Sequence, residues 1–146
     1  MKIYTYYENV NNFNRQSDLI EVWKESWELA GFEPMVLGRD DAKRCPLYQE
    51  YYDFIQEIHM EVSGKHLPEN GYWLAAQLEI AAFTTIDDRS FISDYDVINN
   101  GFKPPEDLSN TLHWRNAACS CFASGSGDSF LKYIKFLLTL KREIID

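Results

Sequence analysis

Residues 91–97 read Phe91-Ile92-Ser93-Asp94-Tyr95-Asp96-Val97: an apolar pair, a small hydroxyl residue, two carboxylates one position apart, then an apolar residue again. Such a run is a short buried strand that ends in an acidic turn. Carboxylates at a strand end suit hard cations such as Mg²⁺ and Mn²⁺, which also take phosphate oxygens and water. A solvated turn in which Asp94 caps the backbone is the commoner use of a bare Asp-x-Asp, so the surroundings decide the reading.

Working outward, residues 2–7 (KIYTYY) are β-branched and aromatic and predict a first strand, with a polar loop over 8–14. Leu19, Ile20, Trp23, Trp27 and Ala30 recur at helical spacing, and Gly31 follows as a stop. Residues 34–37 predict a second strand closed by Gly38. Leu47, Tyr48, Tyr51, Tyr52, Ile55, Ile58 and Val62 form one stripe of a second helix, with Pro46 at its first turn and Gly64 past its end. After a polar connection over 63–71, residues 73–84 predict a third helix whose alanines suit close packing. Residues 97–109 look irregular. Residues 117–123 predict a further strand, and Gly125-Ser126-Gly127 leads to Asp128, the predicted N-cap of a last helix through Lys141.

Strands alternating with helices predict an α/β fold: a mostly parallel sheet flanked by helices, in one domain over residues 1–146. Ligands of such sheets bind beyond the carboxyl ends of the strands. Three polar strand ends, at 5–8, 38–41 and 94–96, are expected to converge there.

A net charge of -9, from 23 acidic and 14 basic side chains, disfavours phosphate backbones and anionic lipid surfaces as partners. No helix-turn-helix, zinc finger or basic stripe points to nucleic acid. Cys45, Cys119 and Cys121 have no paired framework and no adjacent His or Cys pair for zinc, and read as free thiols of a cytoplasmic protein. No signal peptide is read at the N-terminus, and no apolar stretch is long enough for a transmembrane segment.

The 91–97 segment resembles the DXD motif of GT-A glycosyltransferases, particularly the polysaccharide-type group with a DXD sugar-binding region. The resemblance extends over residues 1 to about 125, through the order strand, helix, Gly31-Phe32-Glu33-Pro34 and the strand ending in Gly38. It implies a minimal GT-A-like (Rossmann-like) domain that binds a nucleotide-diphosphate sugar, UDP- rather than GDP-linked, through Mn²⁺ or Mg²⁺. Carried over by position, Asp96 is the main metal ligand. Asp94 contacts metal, ribose or sugar beside Tyr95, and His113 stands where a distal histidine completes the metal shell. Thr5, Tyr6, Tyr7, Gly38, Arg39 and Asp40 line the nucleotide. Relatives carry an Arg-rich helix and a Gly-Gly turn before the motif; here the helix offers Trp73 and Gln77, and the turn reads Thr84-Thr85-Ile86-Asp87-Asp88.

Among other residues, His113 is otherwise a surface loop histidine. His59 fits a structural place on the aromatic stripe, and His66 carries no signal. Asp128 is either a cap or the base that takes a proton from an acceptor hydroxyl. The expected function is therefore transfer of a hexose from a nucleotide sugar to a glycan, lipid or protein acceptor. With 146 residues leaving little room for an acceptor-binding subdomain, acceptor specificity is expected to come from a partner, a second copy or another protein, or from a very open site. A non-catalytic or hydrolytic nucleotide-sugar-binding module is the alternative. A haloacid-dehalogenase-like phosphatase ranks behind both, because its Asp-x-Asp normally lies near the N-terminus.

Overall fold

The first strand, β1 (Lys2–Tyr6), buries four consecutive residues, because successive side chains point to opposite faces and both faces are covered. Ile3 joins a cluster on one side, while Tyr4 and Tyr6 join a larger one on the other. The computed structural model describes residues 1–10, 16–101 and 122–145.

β2 (Glu33–Leu37) and β3 (Ser90–Ser93) flank β1, and β4 (Phe122–Gly125) lies outside β3, giving the order β2-β1-β3-β4. β2 and β3 run parallel to β1, but β4 runs antiparallel to β3, with Ser90 opposite Gly125 and Ser93 opposite Phe122. The sheet of this small single domain is therefore mixed, which corrects the expectation of a mostly parallel one. The reason is topological. The chain leaves β3 at its carboxyl end and re-enters the sheet at that same edge, so β4 must run the other way.

Helix α1 (Gln16–Leu29) covers one face. Its Trp23 and Trp27, four positions apart, pack fully buried against Ile3 and Phe91. Phe32 meets Trp27 edge to face at 5.3 Å and Phe91 at 6.4 Å, which closes that layer. Leu19, expected in the stripe, is 40% exposed. Gly31, at φ 86°, ends the helix as predicted.

The other face carries α3 (Tyr48–Ser63), α4 (Tyr72–Phe83) and α5 (Gly127–Ile145). The alanines of α4 are mostly buried, and its backbone lies close against α2 (Arg39–Ala42), a one-turn helix too short to leave a period in the sequence. In α3 the buried residues are Tyr51, Phe54, Ile55 and Gln56, whereas Ile58 and Val62 of the predicted stripe are exposed, Val62 by 84%. Helical spacing fixes which side is apolar but not how far the partner surface extends. Gly64 caps α3 in the left-handed region, its N–H donating to Met60 O at 2.8 Å.

Asp128 is not a cap: α5 begins at Gly127, and Ser126 O accepts the N–H of Ser129 and of Phe130. Ser126 thus holds the capping position and Asp128 sits exposed in the first turn. No helix among the described residues is long and apolar enough to cross a membrane.

Candidate functional site

The parallel arrangement of β1, β2 and β3 brings Tyr6-Tyr7-Glu8, Gly38 and Asp94-Tyr95-Asp96 to one edge of the sheet. A cleft of about 330 Å³ opens there, floored by the strand ends and walled by α4 and α5. Tyr6, Glu8, Asp94, Tyr95 and Asp96 line the strand side; Tyr72, Gln77 and Glu79 of α4 and Tyr133 of α5 line the helix side. Tyr51 reaches in from α3, its hydroxyl donating to Gln77 O at 3.2 Å.

Two anchors fix the acidic turn. The indole N–H of Trp23 donates to Ser93 Oγ at 2.8 Å, one residue before Asp94. Tyr7 meets Tyr95 edge to face, with ring centroids 5.7 Å apart. Asp94 is partly buried, and burial, helped by the charge of Asp96, pushes its carboxyl up to about 6. Asp96 is exposed at the lip. The phenol of Tyr95 is pushed up to about 12 by burial, then by Tyr72, Asp96 and Asp94.

The residues expected around a nucleotide divide three ways. Tyr6 lines the cleft, with its hydroxyl buried beside Glu8 and lacking a hydrogen bond of good geometry, and Tyr7 is held just outside against Tyr95. Thr5 is fully buried on the opposite face, under α1, and does not reach the cleft. The sequence hid this parity because both faces of β1 are apolar. Arg39 is tied up within the protein: it grips Glu8 through Nε and through Nη2 at 3.0 Å, and Glu69 Oε1 through Nη1 at 2.9 Å. Its guanidinium therefore organises the loop ends. Gly38 N–H donates to Asp41 Oδ2 at 2.9 Å, and Asp40 is exposed on α2 outside the cleft.

Asp128 falls at the opposite end of the sheet from the acidic turn. It follows Gly125, the partner of Ser90, whereas Asp94 follows Ser93. The four residues of β3 separate the two ends by roughly 13 Å. His113, Cys119 and Cys121 lie outside the described residues, as does most of the strand expected over 117–123.

Sequence reasoning placed Glu8 among the converging strand ends but missed Tyr51, Tyr72, Glu79 and Tyr133 as cleft residues. Tyr72 and Glu79 are a helical repeat of two turns apart, a signal that could have placed them on one side of α4. Across the whole lining, the described side chains include four carboxylates and five tyrosine rings but no lysine, arginine or histidine. Asp94 and Asp96 are hard oxygen donors of the kind that divalent cations take.

These features define a small α/β domain with an acidic, tyrosine-lined cleft at the parallel edge of its sheet. The chain belongs to the family of the domain of unknown function DUF8765, whose model matches residues 1–77. That match takes in β1, β2 and the Arg39 bridge and stops within α4, before the acidic turn. No curated protein and no solved structure matches the chain.

Proposed function

We propose that the chain is a metal-dependent glycosyltransferase of GT-A type, acting in the cytoplasm on a nucleotide-diphosphate sugar, with UDP the leading base. The observation that carries this reading is the pairing of Asp94 and Asp96 on a cleft with no basic lining among the described residues. Asp96, at the exposed lip, is the readier ligand for Mn²⁺ or Mg²⁺. Asp94 joins it once the cation offsets the burial that disfavours its charge. The cation, when bound, neutralises the diphosphate and makes it a better leaving group. Tyr95 offers a ring face and a hydroxyl to the nucleoside, above the buried ring of Tyr6, and Trp23 and the Arg39–Glu8 pair hold the two strand ends that present them.

The test is thermal shift with UDP, GDP and UDP-sugars, with and without Mn²⁺, followed by a transfer assay. Ligand at about a hundred times its Kd stabilises the native state by about 2.7 kcal/mol. A base-selective, Mn²⁺-dependent rise in Tm that Asp96→Ala abolishes supports the reading. No shift with any nucleotide, or one that Asp96→Ala leaves unchanged, overturns it. Asp128, the expected base, stands away from the cleft, which favours as a second reading a module that binds nucleotide sugar without transferring it. Metal-dependent binding with no turnover on any donor would select that alternative.

A further inference from the structure

We infer that the outer face of α5 docks on the outer face of α1 of a second copy of this chain, so that copies join head to tail. The inference stands apart from the proposed function. Asp18, Val22, Glu25 and Leu29 fall at i, i+4, i+7 and i+11 along α1, the spacing of a single ridge. That ridge is turned away from the buried Ile20, Trp23 and Trp27. It alternates acid and apolar: Val22 is 48% and Leu29 83% exposed, while Asp18 and Glu25 are exposed and enter no ion pair among the described residues. Glu28 adds a further exposed carboxylate beside it.

On α5, turned away from the buried Ile134, Lys132 and Phe136 stand four positions apart, with Lys135 and Tyr133 on either side. Phe136 is 57% and Tyr133 48% exposed, and neither lysine enters an ion pair among the described residues. Asp128, one turn before Lys132, is the one acid among the described side chains of this face. A basic, aromatic ridge thus stands on one side of the sheet and an acidic, aliphatic ridge on the other, in a chain of net charge -9.

This complementarity selects the occupant. Exposed rings flanked by lysines fit a helix that presents aliphatic side chains and carboxylates in step, and α1 presents both. Phe136 fills the gap between Val22 and Leu29, about 10 Å apart along the helix, with the lysines towards Asp18 and Glu25. Because α1 and α5 cover opposite faces of the sheet, each copy keeps one face free, and association continues past a dimer. One helix against another buries less than about 1,200 Å², which makes the contact weak and concentration-dependent.

The experiment is sedimentation velocity on the intact chain from about 10 μM to about 1 mM. It is run in about 0.1 M salt, which screens net repulsion beyond roughly 10 Å but not facing charges. The average mass is expected to rise with concentration past that of two chains. Lys132→Glu/Lys135→Glu and Glu25→Lys/Glu28→Lys should each weaken association roughly tenfold or more. An equimolar mixture of these two variants should recover it, because acid again faces base at both contacts. Near-UV circular dichroism and Tm confirm that each variant is folded, and Lys132→Arg/Lys135→Arg, which keeps the charge, retains association. A mass fixed at that of one chain overturns the inference and leaves the α5 face to a different acidic partner. Undiminished association in either charge-reversed variant overturns it too; in Glu25→Lys/Glu28→Lys that result would point to α5 paired with itself. A mixture that stays monomeric overturns it as well.

Discussion

Trp23 and Ser93 join through a 2.8 Å buried hydrogen bond between residues 70 positions apart, and Asp94 is the next residue after that bond. The position of the acidic turn is thus fixed by the helix on the far side of the sheet.

Ser93→Ala leaves the fully buried indole N–H of Trp23 without an acceptor. The expected loss is about 1–3 kcal/mol, read as a lower midpoint in urea denaturation. A midpoint within error of wild type would mean that the bond contributes nothing net.

Asp94 sets a pH dependence. Burial and the neighbouring Asp96 push its folded carboxyl up to about 6, above the ordinary aspartate value of 3.8, so the folded state binds the proton more tightly than the unfolded one. Stability contributed by this group is full below pH 4 and is lost as pH rises towards 6. Asp94→Asn should therefore stabilise the fold at pH 7.5 by about 1 kcal/mol after allowance for solvent screening, read as a raised Tm, and change little at pH 3.5. A gain of equal size at both pH values would contradict the account.

The Arg39–Glu8 pair is largely enclosed, with side-chain exposures of 16% and 11%. Arg39→Met strands the Glu8 carboxylate and should cost about 3 kcal/mol. Adding Glu8→Leu should recover much of that loss, because the burden lies in the unpaired charge rather than in the missing bond. Chemical denaturation of the two single variants and the double variant measures the coupling directly.

Gly127 and Gly64 should respond differently to alanine. A Cβ on Gly127 would collide with the Thr84 carbonyl oxygen and lie 2.7 Å from that of Ile86, and neither backbone group can swing away. The expected cost is about 3 kcal/mol. Gly64, at φ 71°, has open space around it, so Gly64→Ala meets only backbone strain of about 1 kcal/mol. Thermal denaturation of both variants should rank them in that order.

What the sequence disclosed and what it hid divides along a physical line. The Trp23–Trp27 spacing, the Gly31 and Gly64 stops and the strands around Ile3, Val36 and Ile92 are local patterns, and all stand in the structure. The direction of β4 is not local; it follows from the edge at which the chain re-enters the sheet, and it carries Asp128 away from Asp94. The meeting of Tyr6, Asp94 and Asp96 was legible once three polar strand ends were placed on one edge. The engagement of Arg39 was not, because Glu8 and Glu69 lie 31 and 30 residues away from it and nothing nearby marks them as partners. For Tyr133, the seventh residue of a strongly amphipathic helix, the missing information was which helix α5 would pack beside.

Tyr6 sits in the first strand and Tyr133 in the last helix, yet they line the same cleft. Fraying of α5 alone would therefore open the cavity while the sheet still held. A molecule lodged there would fasten the two ends of the chain together like a clasp. Amide exchange along α5 should slow on binding before protection changes anywhere in β1.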